Sequence, residues 1–231
     1  MAPHRRQFHV ALTPAVDARE LYRFYHAADD ETLALRGVSL TVAPGEMVVI
    51  VGPSGSGKST LMTCLAGLDD PDAGAVYIAG HRITRRPERE RARLRARHIG
   101  ILAQKRNLFE GLSVRTNLEL VTRLHSHAQP EAAAAVLHDV GLWERRHARP
   151  RELSGGEAAR AALAVALACD PAVVLADEPT AEVDALTESW MLDAFTARKQ
   201  RGTAIVIATH SERIAAAADR VIALADGRIT T

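Results

Sequence analysis

Apolar residues gather in three short, dense runs, each bounded by turn or charged residues. They are Met47–Val51, residues 173–176 and Ala204–Ala208. Runs of this length with β-branched character and no alternation predict strands buried on both faces. Between them the period changes: Leu61, Cys64, Leu65 and Leu68 recur at helical spacing over residues 60–68, and a second helical pattern covers 186–195. Residues 38–42 alternate as a half-buried strand does, and Pro44-Gly45 supplies a turn. Strands alternating with helices predict an α/β fold with a mostly parallel sheet covered on both faces.

The middle of the chain, about 84–168, has a different texture. A charged stretch and a loop lead into alanine-rich helical patterns over 131–140 and 156–168, with Pro130 and Pro150 as punctuation. This predicts a helical insertion in the α/β core. Residues 1–15 have no repeating pattern and read as a tail, the first ordered element starting near Asp17, so 16–231 forms one unit. No internal repeat is visible.

Composition narrows the function classes. The 231 residues are 47% hydrophobic and 25% charged, which excludes a mostly disordered or collagen-like chain. A net charge of +1 gives no global attraction to nucleic acid, and no nucleic-acid partner is expected. Cys64 and Cys169 are far apart and outside any paired spacing, so neither a disulfide framework nor a thiolate metal site is predicted, and a reducing cytosol is the simplest compartment. The longest apolar runs, such as 161–169, fall well short of a membrane span. Arg5-Arg6 ahead of Phe8 suggests a twin-arginine export signal, but the apolar stretch that follows is broken by His9, Thr13 and Pro14, so a loose tail is expected.

Chemistry enters after the first buried strand. Gly52-Pro53-Ser54-Gly55-Ser56-Gly57-Lys58-Ser59 satisfies GxxxxGK followed by Ser, with Thr60 opening the next helix. Glycines allow consecutive N–H groups to point inward at an anion, and the following helix adds its positive end. Lys58 would reach the β and γ phosphates of a nucleotide, and the Ser59 hydroxyl would be a Mg²⁺ ligand. A flexible glycine turn would use the same glycines but would not need that strand, lysine and helix in order. A dinucleotide fingerprint fits less well, because Thr60 stands where a third glycine or alanine belongs. Farther on, an apolar run ends in Asp177-Glu178. Alone this pair reads as a solvated turn. Beside a phosphate loop, Asp177 would hold Mg²⁺ and Glu178 would orient or deprotonate the attacking water.

Leu153-Ser154-Gly155-Gly156-Glu157, taken with those two motifs in this order and spacing, resembles the signature of ATP-binding cassette (ABC) ATPases. The resemblance runs from about Asp17 to the C-terminus. It implies a P-loop NTPase (RecA-like) core, an antiparallel β subdomain and an inserted α-helical subdomain, with ATP and Mg²⁺ as cofactors. By the same resemblance Tyr25 stacks on adenine, although Tyr22 and Phe24 are alternative rings. Gln104 links the γ phosphate and Mg²⁺ to the helical subdomain, Asp184 is the aspartate of the loop after the acidic strand, and His210 is the switch histidine on the γ phosphate. Ser154, the amides of Gly155 and Gly156, and Glu157 of the signature contact ATP held by a second copy of the chain. Two copies would thus sandwich two nucleotides head to tail.

The resemblance further implies an ATPase subunit, peripheral on the inner face of the cell membrane, that drives a separate integral-membrane permease. The subunits most similar serve lipoprotein release and macrolide or antimicrobial-peptide efflux. An alternative is a non-transport switch acting on a membrane partner that regulates cell-wall enzymes. Leu108, Phe109 and Leu112 are expected as exposed apolar residues that grip a permease helix. Ala103, Val165 and the neighbours of Asp184 in Ala181-Glu182-Val183-Asp184-Ala185 depart from the family pattern. The arginine-rich stretch 82–97 is expected as a solvated helix with Leu94 as its apolar anchor. His125 and His127, two apart, would not share a helix face and predict no metal pair.

Overall fold

The structure, a computed structural model, describes residues 13–27, 30–104, 107–124 and 130–230. Of the tail expected over 1–15, only 13–15 are among the described residues. Ala15 is buried, donates its N–H to Val42 O at 2.8 Å and accepts from the Ala79 N–H at 2.8 Å, so order begins before Val16. Arg5-Arg6, His125 and His127 lie outside the described residues.

Two sheets stack. The first is antiparallel, in the order β2 (Asp30–Val42), β1 (Val16–Ala27), β4 (Ala73–Ile78), β5 (His81–Arg82). Bulges interrupt the β1–β2 register between Ala18 and Leu21 and between Arg23 and Phe24, so the polar-rich β1 does not keep a clean alternation. The second sheet runs β10 (Arg228–Thr230), β9 (Arg220–Ala225), β3 (Met47–Val51), β8 (Ala204–Ala208), β7 (Val173–Asp177), β6 (Ile99–Leu102), parallel throughout except for the β9–β10 hairpin. Helix α1 (Lys58–Leu65) lies between the sheets and buries Leu61, Cys64 and Leu65. Burial pushes the Cys64 thiol up to about 12, which makes it an inert packing residue.

The opposite face of the large sheet is covered by α5 (Gly155–Leu167) and α6 (Ala185–Gln200), with Met191 and Phe195 fully buried. Alanines on α5 serve two cores at once. Ala162 and Ala166 face the sheet, while Ala161 and Ala164 face a separate helical core with Leu118 of α3 (Val114–Leu124) and Leu137 of α4 (Pro130–Asp139). A helix buried on two sides must be narrow, hence the alanine-rich sequence.

The helical insertion is shorter than 84–168. Strand β6 is an edge strand of the large sheet, and α2 (Glu88–His98) leads into it, so the separate helical core begins at Val114. Nor is α2 solvated on every side. Arg91 turns inward to Asp70 at 2.8 Å, and Arg95 donates to Gly67 O at 2.8 Å and pairs with Glu88, while Arg89, Arg93 and Arg97 point to solvent. Leu94 packs on the core as expected. Among the described residues no helix is long and apolar enough to cross a membrane.

Candidate nucleotide site

Three neighbouring strands end at one level. Ala208 of β8 stands opposite both Ile50 of β3 and Asp177 of β7. The phosphate loop, Glu178 and the Thr209–His210 pair therefore leave the sheet side by side, at the carboxyl edge where open parallel sheets bind ligands. Glu178 donates its N–H to Ala208 O at 2.8 Å, and Thr209 donates to Ile50 O at 3.2 Å.

Local geometry explains the loop sequence. Gly57 caps α1 with φ +103°, and a Cβ there would lie 2.4 Å from Ala34 O. The loop is braced from behind: Ser56 N–H donates to Pro53 O at 3.2 Å, and Ser56 O accepts from the Gly227 N–H at 3.0 Å. Lys58 is buried, its Nζ donating to Gly52 O at 2.7 Å and Pro53 O at 3.0 Å and lying 3.5 Å from His210 Nε2.

The cleft in front of the loop has a volume of about 580 Å³. Of the residues expected at the site, Ser54, Gly55, Gly57, Lys58, Ser59, Thr60, Gln104, Glu178 and His210 line it together. Gly52 and Pro53 line a smaller neighbouring recess with His210, and Ser56 is buried beneath the loop. Thr180, Glu188, Thr209 and Ser211 also line the cleft, without a role in the sequence reading. Ser211 had a visible signal, a serine directly before Glu212-Arg213 that caps α7 (Glu212–Ala216); Glu188 had none, because its partner is distant in sequence.

Asp177 Oδ1 is buried without a hydrogen-bond partner. A bare carboxylate oxygen in the interior is costly. Ser59 and Gln104 line the cleft and Asp177, at the end of β7, does not. Mg²⁺ keeps several waters and needs only one or two protein carboxylates beside phosphate oxygens, and a carboxylate, a hydroxyl and an amide oxygen fit it by chemistry.

Tyr25, on β1, lies outside the cleft lining. It is 39% exposed, its hydroxyl donates to Asp69 Oδ2 at 3.2 Å, and the Arg23 guanidinium sits 4.8 Å from its ring centroid. Arg23 is itself gripped by Asp69 at 2.8 and 3.0 Å. Of the alternative rings, Tyr22 is packed against Gly37, where an added Cβ would come 2.9 Å from its hydroxyl oxygen, and Phe24 is half-buried.

The signature turn is not part of this cleft's lining; Gly155 lines a second cavity of about 470 Å³ that shares Gln104, Glu178 and Ala181 with the cleft. Ser154 caps α5: its Oγ accepts from the Glu157 N–H at 3.2 Å, and Glu157 Oε2 accepts from the Ser154 N–H at 2.8 Å. That backbone hydrogen bond holds the Glu157 carboxyl below the usual carboxylate range. Ser154 and Gly155 are exposed. Asp184 caps α6 by accepting from the Thr187 N–H at 2.8 Å, which likewise lowers its pKa. Gly156 lets the two helix starts meet, since a Cβ would lie 2.6 Å from Thr187 Oγ1. One chain thus carries a phosphate cleft and, outside that cleft's lining, an exposed, anion-suited helix start at Ser154 and Gly155.

The family model described as ABC transporter matches residues 35–181. The lipoprotein-releasing system ATP-binding protein LolD 2 of Caulobacter vibrioides is 38% identical over 220 residues, covering 94% of this chain and 96% of that protein. The macrolide export ATP-binding/permease protein MacB of Hyphomonas neptunium is 40% identical over 219 residues, covering 94% of this chain, which spans about a third (34%) of that relative's length. The solved dimer of the ATP-binding cassette MJ0796 in a post-hydrolysis state with ADP and Pi superposes with a TM-score of 0.88 at 31% identity, covering 94% of this chain and 97% of that one. With motif order, cleft geometry and these likenesses in agreement, the chain belongs to the ABC transporter family as an ATP-binding cassette with ATPase activity.

Proposed function

We propose that two copies of this cassette sandwich ATP and drive a separate integral-membrane permease of the lipoprotein-release or drug-efflux kind, from the inner face of the cell membrane. The observation that carries the reading is the meeting of Lys58, Glu178 and His210 in one cleft while the Ser154 turn, which is exposed, takes no part in its lining. Lys58 and the loop amides hold the phosphates, Glu178 aligns and deprotonates the attacking water, and His210 and Gln104 contact the γ phosphate. Mg²⁺ would neutralise charge on the β and γ oxygens, held by Ser59, Gln104 and Asp177. Tyr25 would stack on adenine with the ring face opposite the one that Arg23 covers. The Ser154 turn, with Gly155, Gly156 and the adjoining Asp184 loop, completes the partner copy's site.

The names of the relatives support the permease class: one is the ATP-binding protein of a lipoprotein-releasing system, another carries cassette and permease in one chain. No observation favours the switch reading. The docking loop is narrower than the sequence suggests. Leu108 packs on the helical core and Leu112 is half-buried, leaving Phe109 as the exposed apolar residue at 63%. Its backbone is fixed by the buried Asn117, which accepts from the Phe109 N–H at 2.7 Å and donates to Phe109 O at 3.3 Å. Reconstituting the chain with its permease in vesicles tests the reading: ATP-dependent movement of lipoprotein or drug supports it, and ATP turnover with no movement of either counts against it.

A further inference from the structure

Two helix starts meet at the mouth of the cleft and are laced together by side chains. Ser211 follows His210 directly. Its Oγ accepts from the Ile214 N–H at 3.2 Å, capping α7, and donates to Glu188 Oε1 at 2.6 Å. Glu188 belongs to the first turn of α6, the helix that Asp184 caps. Arg213, the second residue of α7, donates to Ala185 O at 3.3 Å and to Ser189 Oγ at 2.9 Å, and lies 4.0 Å from Glu188 Oε2. Ser211 N–H donates to Thr209 Oγ1 at 3.1 Å, and Thr209 is buried.

The backbone on both sides of His210 is therefore fixed, while the His210 side chain is 59% exposed, its Nε2 lying 3.4 Å from Glu178 Oε1 and 3.5 Å from Lys58 Nζ. Glu188 is also a carboxylate lining a cleft that suits a polyanion, an unfavourable place for negative charge. Its contacts with Ser211 and Arg213 give it a structural reason to be there.

We propose that the Glu188–Ser211 hydrogen bond, buttressed by Arg213, is a positioning device for His210, linking the Asp184 loop at the start of α6 to the turn that carries the histidine. Both are positioning residues, acting through His210. The proposal rests on the reading of His210 as a γ-phosphate contact.

The test is steady-state ATPase of the full chain over a range of ATP concentrations, with binding of a fluorescent ATP analogue and thermal melts, for Glu188→Ala, Ser211→Ala, the double variant, Ser211→Thr and His210→Ala. Glu188→Ala leaves the α7 cap intact and isolates the lacing. Each alanine variant is expected to lower kcat about tenfold with KM and analogue affinity within about twofold of wild type. The double variant should be no slower than either single one, and Ser211→Thr should restore turnover. The proposal is overturned if Glu188→Ala keeps wild-type kcat, if the two losses multiply, or if lost activity only tracks the unfolded fraction. If His210→Ala turns over at the wild-type rate, the reading of His210 fails and the lacing falls with it. If His210→Ala loses turnover while Glu188→Ala keeps the wild-type kcat, the lacing alone fails.

Discussion

Glu178 is held by His210 on both carboxylate oxygens: ring Nε2 lies 3.4 Å from Oε1, and the backbone N–H donates to Oε2 at 3.3 Å. The same ring nitrogen lies 3.5 Å from Lys58 Nζ. Proposed base, switch and phosphate-binding cation thus form one chain of contacts. A movement of His210 toward a phosphate would release one oxygen of Glu178 for water.

Glu178→Gln keeps the side-chain volume and the acceptor oxygen but removes the basicity. It should lower kcat by about 10²–10⁴-fold while leaving ATP affinity intact. Single-turnover hydrolysis and equilibrium binding, measured together, separate the two effects.

Gly57→Ala places a methyl 2.4 Å from the backbone oxygen of Ala34 at a φ of +103°. Backbone cannot yield as a flexible side chain would, so the substitution should cost about 1–3 kcal/mol of stability and abolish nucleotide binding. Chemical denaturation and titration with the fluorescent analogue measure the two losses.

Asp219 joins the start of β3 to the end of α6. Its carboxylate accepts from Lys199 at 2.7 Å and from the Met47 N–H at 2.8 Å, and these bonds hold its pKa below the ordinary value. A carboxylate depressed by folding stabilises fully above its unfolded pKa, about 3.9, and that contribution is lost as pH falls through the lower folded value. Asp219→Asn should therefore lower Tm by about 2–4 °C near neutrality. The gap from wild type should close in acid melts below the unfolded pKa.

Phe109→Asp puts a charge on the exposed tip of a loop that Asn117 holds in place. Nucleotide binding should be unchanged, while transport by the reconstituted complex and co-purification with the permease should be lost. Retention of the permease at wild-type yield would remove this loop from the interface.

Much of this was legible because local chemistry decides it. Strand β8 is readable to the residue, as five apolar residues between two threonines leave no competing pattern. The start of α5 is written in the Ser154 and Glu157 capping pair. Strand β1 was not legible beyond its beginning, because charged residues and bulges break its alternation. Strand β6 was assigned to the helical insertion, since four residues behind an arginine-rich helix declare a sheet only through pairing with β7. At the site, the phosphate loop, Glu178 and His210 follow from motif and order. The partners of Asp69 and Glu188 lie 44–46 and 23 positions away, and only the fold brings them together.

The central claim is that each ATP is enclosed by the phosphate cleft of one copy and the Ser154 turn of the other. Sedimentation of the Glu178→Gln chain with and without saturating ATP and Mg²⁺ tests it most directly, with Ser154→Arg in the same background as the control. The account predicts a dimer that forms only with nucleotide and disappears in the Ser154→Arg control; a monomer at saturating ATP, or a dimer indifferent to Ser154→Arg, would contradict it.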